Sequence, residues 1–375
     1  MFISVLIYDC LPVKLSLRGS QTQNRIISAG RCPKGNATTH EEKISSFHCL
    51  SGLADDLRQL TSMKDQDRTP PPSYPDNPTQ STGFRVVEDP TYGFRRLDPL
   101  PPEGEIADFY ESRYYDLVRK GNRAPELRRL MEGGDPASRE LQWLRGGLHT
   151  DIVDTLDRVG HGRKLLEVGC GTGDFLTFAQ EHGFNVVGTE PSTEAAERVP
   201  RDLDVRNMTL DKFVARYPAE RFDVIVMINV LEHVPDPVRM LQECKQVLNP
   251  GGILCIRVPN DFSEIQAAAQ EKLSVDPWWI AVPDHINYFN FTSLRQLLDR
   301  LGFETVYEHG DFPMEMFLLM GENYIGDPQV GSSCHARRVQ FDLSIPPELR
   351  RKIYSALGSV GVGRDCLVFG KKITS

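Results

Sequence analysis

The stretch Leu165-Leu166-Glu167-Val168-Gly169-Cys170-Gly171-Thr172-Gly173-Asp174-Phe175-Leu176 decides the fold. An apolar run with an acid near its end passes into three glycines on alternate positions, and a helical pattern begins directly behind them. Glycine lets the backbone turn sharply and lets a ligand approach the main chain closely. The N-terminus of the following helix offers unpaired N–H groups. A dinucleotide-binding turn reads G-x-G-x-x-G, or ends in alanine. Here the spacing is G-x-G-x-G, and Asp174 stands at the last place. The spacing therefore favours a nucleoside ligand over a pyrophosphate and argues against a dehydrogenase.

Downstream of this stretch, short β-rich runs alternate with amphipathic helical ones. Strands are expected at Lys164–Val168, Asn185–Thr189, Asp204–Arg206, Phe222–Ile228, Gly252–Val258 and Glu304–Glu308, with a last one at Cys366–Phe369. Such alternation predicts βαβ units and a mainly parallel sheet with helices on both faces. Upstream, Leu141, Leu144, Leu148, Ile152 and Leu156 recur at helical steps and predict a helix from about Ser138 to Val159. Residues Glu105 to Tyr115 read as a helix with an aromatic face, and order is expected to begin near Phe84.

Residues 1–82 show no sustained period and end in the linker-like Arg68-Thr69-Pro70-Pro71-Pro72-Ser73-Tyr74-Pro75. They are expected to be a disordered extension, either a regulatory or targeting tail or an over-long start with Met63 as the true first residue.

The 375-residue chain is 40% hydrophobic, enough for a real core, and carries a formal net charge of −9. A chain that relies on phosphate contacts usually carries a basic excess, so nucleic acid is not an expected partner. The eight cysteines form no C-x-x-C pair, which argues against a cysteine-built zinc site and for reduced thiols in the cytoplasm. No H-x-x-x-H pair occurs either, and catalysis is expected to be metal-free. No apolar run reaches the ~18 residues that span a membrane. The apolar start Met1 to Val13 lacks a basic flank and is broken by Asp9, so no secretory signal is expected.

Three further blocks complete the pattern. Val186-Val187-Gly188-Thr189-Glu190 closes a second strand on an acid, 23 residues after Glu167. Glu190 can accept both hydroxyls of a ribose, or cap the helix ahead, or do both. Phe222-Asp223-Val224-Ile225-Val226-Met227-Ile228-Asn229-Val230-Leu231-Glu232-His233-Val234 and Leu248-Asn249-Pro250-Gly251-Gly252-Ile253-Leu254 follow. With these blocks in this order, the chain resembles the class I S-adenosylmethionine-dependent methyltransferases of the small-molecule type. It is similar to the ubiquinone-biosynthesis O-methyltransferases and their bacterial relatives. The resemblance covers a core of about residues 144–308.

The resemblance implies a Rossmann-like α/β domain over residues 84–375, with a mainly parallel seven-stranded sheet, N-terminal helices and an insertion over residues 312–363 before the last strand. Its cofactor would be S-adenosylmethionine. Glu167, Gly169, Gly171 and Gly173 would hold the methionine end, and Glu190 the ribose. Met208 and Thr209 stand where the family meets the adenine, although the acid common beside that place comes later here, as Asp211. Asn229 would floor the site, and Tyr110 or Tyr114 would cover the cofactor.

Two histidines are candidates for the chemistry. His233 leaves the fourth strand where the methyl group must lie, as a general base or as a brace for its loop. His285 lies in Pro283-Asp284-His285-Ile286-Asn287-Tyr288-Phe289, where related enzymes admit the acceptor; it is a base, an acceptor contact or a structural residue. Trp278 and Trp279 form an acceptor wall or pack in the core. In the insertion, Met314, Met316, Phe317, Leu318, Leu319 and Met320 line an acceptor pocket or a homodimer contact, and a helix is expected over Pro347–Leu357. The expected reaction is methyl transfer to oxygen of a small molecule, a sugar or a phenol-type metabolite. Nitrogen or carbon methylation, and a scaffold that binds cofactor without turnover, are the alternatives.

Overall fold

The computed structural model describes residues 83–102, 104, 106, 118–120, 125–160, 162–282 and 284–373. All belong to the unit Tyr74–Ser375. The expected extension over residues 1–82 and the aromatic helix with Tyr110 and Tyr114 lie outside the described residues.

Strands β1 (Arg85–Glu88) and β2 (Arg95–Asp98) pair antiparallel. Helices α1 (Pro125–Glu132) and α2 (Gly134–Leu144) follow, then a π-helical turn (Arg145–His149) and α3 (Thr150–Val159). From there the chain alternates through β3 (Lys164–Val168), α4 (Asp174–Glu181), β4 (Asn185–Thr189), α5 (Thr193–Ala196), β5 (Asp204–Arg206), α6 (Leu210–Arg216), β6 (Phe222–Ile228), α7 (Pro237–Val247) and β7 (Leu248–Pro259). It continues through α8 (Glu264–Leu273), β8 (Asn287–Tyr288), α9 (Phe291–Arg300) and β9 (Phe303–Gly310). The last elements are α10 (Glu315–Leu319), α11 (Pro328–Ser344), α12 (Pro347–Ser359) and β10 (Asp365–Lys372). No helix among the described residues is long and apolar enough to cross a membrane.

Seven strands form one sheet in the order β5-β4-β3-β6-β7-β10-β9. The ladders from β5 to β7 are parallel, and β10 runs antiparallel to both β7 and β9. Side-chain alternation along the strands sorts the core into two layers. Leu166, Val168, Ile225, Met227, Leu254 and Ile256 pack on one face with residues of α6, α7 and α9. Leu165, Val224, Val226, Ile253, Cys255, Leu367 and Phe369 pack on the other with residues of α3 and α4. This is the α/β architecture expected from the alternation. Strands β3, β4, β5 and β6 fall on their expected bounds; β7, β9 and β10 run longer.

The expected helix Ser138–Val159 is interrupted. Its middle is the π-turn, which contains Gly146 and Gly147. A π-turn loosens the i−4 ladder and leaves carbonyls available. Here the buried Arg350 of α12 takes them: its Nη2 donates to the carbonyls of Gly146 (2.8 Å) and Gly147 (3.3 Å). The expected helix Pro347–Leu357 is present and runs two residues longer. Helix α11 and the small sheet β1-β2-β8 had no apolar period to announce them.

His149 ends the π-turn, 4% exposed, with its ring 5.3 Å from that of Phe175 and 5.5 Å from that of Phe178. Burial, aided by the Arg145 and Arg257 charges, pushes its pKa down to about 3. The unfolded chain therefore binds an extra proton between pH 3 and 6.5, and acid favours unfolding across that window. Stability should fall by about 1.4 kcal/mol for each pH unit below 6.5 through this group alone. Urea unfolding at pH 6.5 and pH 5 should show a smaller drop for His149→Leu than for the native chain; equal drops would exclude the effect.

Candidate active site

The carboxyl ends of β3 and β6 adjoin where the strand order reverses, the position at which open α/β sheets bind ligands. After β3, Gly169, Gly171 and Gly173 have φ of 70°, 54° and 81°, a region where side chains are resisted. A Cβ on Gly169 would lie 2.7 Å from Val230 Cγ2, so the loops behind β3 and β6 pack directly on each other. A Cβ on Gly171 would meet nothing within 4 Å, so its main chain faces open space. A cleft of about 260 Å³ adjoins it, lined by Leu130, Met131 and Leu141 and, from the loop, by Thr172 and Asp174.

Glu167 and Glu190 flank this turn. Glu190 Oε2 accepts from the Gly171 N–H (2.9 Å), and Oε1 accepts from the Ser192 N–H (2.8 Å). One carboxylate thus ties the glycine turn to the start of α5, whose N-cap is Ser192. Asn207 supports it from β5, donating to the carbonyls of Glu190 (2.9 Å) and Pro191 (3.1 Å). Sequence reasoning missed Asn207, because a single Asn after a strand carries no pattern.

Glu167 is buried, and its Oε2 has no hydrogen-bond partner among the described residues. Burial, followed by the neighbouring Asp174 and Glu190 charges, pushes its carboxyl well above the usual carboxylate range. Burial also raises Glu190, against the pull of its two N–H donors. Buried acids with an orphaned oxygen suit a cationic, N–H- or O–H-bearing ligand. They fit a cofactor that carries a sulfonium, an ammonium and two ribose hydroxyls. Glu190→Ala should weaken S-adenosylmethionine binding by about 1.5–3 kcal/mol. Calorimetry that finds unchanged affinity in a folded variant would remove Glu190 from the site.

Met208 is partly buried against the core, and Thr209 is the N-cap of α6, with its hydroxyl donating to Asp211. Asn229 closes β6 in a left-handed conformation (φ 55°), which Asn tolerates better than most residues. Its N–H donates to the Arg257 carbonyl (2.9 Å), and its Oδ1 accepts from Arg257 Nη1 (2.7 Å).

The turn Leu231–His233 and the loop before β8 bring the two histidines together, with ring centroids 4.9 Å apart at 74°. His233 Nδ1 lies 2.9 Å from the Asp284 carbonyl, and its Nε2 lies 3.6 Å from Glu232 Oε1. Burial lifts Glu232 to about 7, with the His233 ring pulling the other way. Burial would depress His233, but the Glu232 carboxylate and then Asp284 outweigh it and lift the ring to about 9. The loops are clamped: Ile286 N–H donates to the Glu232 carbonyl (2.9 Å), and Asn287 Nδ2 to those of Leu231 (3.1 Å) and Val234 (2.7 Å).

The tryptophans divide. Trp279 is buried edge-on against Phe262 (5.5 Å), and Trp278 stays half-buried beside it. The insertion run divides too: Phe317 and Leu318 are buried, whereas Met320 is 67% exposed. Sequence reasoning also missed a charged group at the same end of the sheet, where Arg364 Nη1 lies 4.0 Å from both buried acids Asp261 and Glu315.

Residues 140–308 match the family model of a methyltransferase domain. A ubiquinone biosynthesis O-methyltransferase of Actinobacillus pleuropneumoniae serotype 7 is 40% identical over 121 residues, which cover 30% of this chain and 52% of that enzyme. One from Dinoroseobacter shibae is 31% identical over 162 residues, covering 40% and 63%. The chain spans about half the length of the curated relatives it matches. Among solved structures, a SAM dependent methyltransferase from Archaeoglobus fulgidus aligns over 69% of this chain and 100% of its own, at 19% identity and a TM-score of 0.42. With the blocks, the sheet and the glycine turn described above, residues 140–308 make this chain a carrier of a class I S-adenosylmethionine-dependent methyltransferase domain.

Proposed function

We propose that the chain transfers a methyl group from S-adenosylmethionine to a hydroxyl oxygen of a small molecule, a sugar or phenol-type metabolite. The observation that carries this reading is the meeting of His233 and His285 at the carboxyl end of β6, beside the glycine turn. The bound cofactor would supply a methyl group already activated on a sulfonium. The chain's own work is then positional, and holding reactants in line is a large part of such catalysis. Glu167 and Glu190 hold the donor side, with Met208, Thr209 and Asn229 around it. His285 meets the acceptor and takes its proton, and His233, held between Asp284 and Glu232, fixes the loop.

An amine acceptor is the second reading, favoured by the buried acids Glu232, Asp284, Asp261 and Glu315 at this end of the sheet. We place the protein in a reducing cytoplasm, which the free, buried thiols of Cys170, Cys244, Cys255, Cys334 and Cys366 support. The test is S-adenosylhomocysteine release across a panel of sugars, phenols and amines. Turnover with hydroxyl acceptors is expected; release with amines alone would favour the second reading and overturn the first.

A further inference from the structure

We propose that Asp261 and Glu315, with Arg364 between them, form a subsite for a pyranose sugar that presents two neighbouring hydroxyls. This chooses between the two acceptor classes of the proposed function; the acceptor role rests on that reading, and sugar binding itself does not. Asp261 follows the carboxyl end of β7, and Arg364 immediately precedes β10. The antiparallel pairing of Asp365 with Pro259 brings these two ends together, and Glu315 joins them at the start of α10. Strand β7 adjoins β6, so the place lies on the strand next to the one that leads to His233. Burial lifts Asp261 to about 7 against the pull of Arg364, and the Glu232 charge adds to the rise.

The three charged groups face one another without meeting. Arg364 Nη1 is 4.0 Å from Asp261 Oδ1 and 4.0 Å from Glu315 Oε1, too far for a hydrogen bond. Glu315 is 1% exposed. Among the described residues, neither of its oxygens nor Arg364 Nη1 makes a well-formed hydrogen bond, although the Gln266 amide lies close enough to favour the charged carboxylate. Buried polar groups left in this way are costly, and a ligand that satisfies them removes the cost.

The mixture of charges selects the ligand. A cation would satisfy the two acids and be repelled by Arg364; an anion would do the reverse. A neutral hydroxyl does both, because it donates its hydrogen to a carboxylate and accepts from a guanidinium N–H. An oxygen about 2.8 Å from each atom spans such a gap. Two gaps open from one Nη1, which has two hydrogens to donate, so two neighbouring hydroxyls fit. Trp278, half-buried, hydrogen-bonds Tyr324, whose hydroxyl lies within reach of the Glu315 and Arg364 charges. The indole offers an apolar surface for the C–H groups of a sugar ring. The Arg364 side chain is 31% exposed and leaves the place open to solvent on that side. A catechol also presents two neighbouring hydroxyls, but the rest of its ring has nothing to offer the Tyr324 hydroxyl.

The test is saturation-transfer NMR of full-length protein with S-adenosylhomocysteine. Methyl hexopyranosides, oligosaccharides and nucleoside-diphosphate sugars are separate arms, which distinguish a free, a glycan-borne and an activated sugar. Catechol and a primary amine are the rivals, and methyl transfer from S-adenosylmethionine to each is measured in parallel. Binding in a sugar arm is expected, and it should be lost with the deoxy analogue that lacks one of the paired hydroxyls. Glu315→Gln should weaken sugar binding by about 10–100-fold. It should leave S-adenosylmethionine affinity and the residual binding of the deoxy analogue unchanged, whereas a merely structural role would weaken every ligand alike. Trp278→Ala should weaken sugar binding by about two- to tenfold and remains informative if the buried Glu315 variant does not fold. Circular dichroism checks the fold of both. Sugars that bind folded Glu315→Gln and Trp278→Ala unchanged overturn the subsite. So does the absence of sugar binding, the gaps then being bridged by water alone; methylation of catechol in that case leaves the proposed hydroxyl chemistry standing. Sugar binding that depends on Glu315, with methyl transfer to amines alone, supports the subsite while removing the proposed function.

Discussion

Arg350→Ala should cost about 3–5 kcal/mol of stability, the typical price of leaving a buried charge unpaired. The Arg350 side chain is 2% exposed. Its Nε and Nη2 donate to the two oxygens of Asp151, each at 2.9 Å, and its Nη1 donates to the Asp342 carbonyl at 3.0 Å. Nη2 also reaches the π-turn carbonyls, so one guanidinium joins α3, α11, α12 and the π-turn. Asp342 extends the network, accepting from Trp143 Nε1 (2.8 Å) and from the Tyr354 hydroxyl. Removing the guanidinium strands Asp151, which among the described residues keeps the Arg351 guanidinium at 3.1 Å, and leaves the Gly146 and Gly147 carbonyls without this donor. Arg350→Lys should recover little, because a point ammonium cannot reproduce a fork that serves a carboxylate and three carbonyls. Chemical denaturation checks both variants. A loss under ~1 kcal/mol for Arg350→Ala, no more than a surface pair is worth, would show that the network is not buried as described.

The second large effect belongs to His285. His285→Ala should lower kcat by about 10²–10⁴-fold, the range typical of a lost general base. S-adenosylmethionine affinity should hardly change, because the proposed cofactor contacts come from the ends of β3, β4, β5 and β6 and not from this loop. The loop itself should survive: it is held by main-chain bonds of His285 to Ala281 (2.8 Å) and of Ile286 to Glu232 (2.9 Å) and by the Asn287 side chain, none of which needs the imidazole. Near-normal kcat in a folded variant, measured under saturating acceptor, would exclude that role and favour an amine acceptor or pure positioning.

Much of the fold was legible because parallel strands buried on both faces are apolar along most of their length. Leu165–Val168 and Val224–Ile228 announce themselves without knowledge of their neighbours, and four strand bounds follow directly. The glycine turn was legible for a related reason. Positive φ at three alternate positions leaves glycine as the residue with least penalty, so the requirement is written in residue type. Glu190 could be placed from its position at a strand end. The helical insertion was harder. Helix α11 docks through Cys334, Arg338 and Asp342 rather than through an apolar stripe, and a periodicity search finds only stripes.

The amino-acid sequence by itself determined the alternating α/β order, the turn after β3 and the acids that flank it, because these depend on local backbone geometry and on burial that each strand carries with it. Only the tertiary structure decided that the π-turn opens for Arg350, that Glu190 binds the glycine turn through Gly171, and that His285 comes to lie against His233 and Glu232. Each of these joins residues from separate elements through side-chain bonds. Such bonds depend on distances that loops and packing set, and no spacing along the chain encodes them.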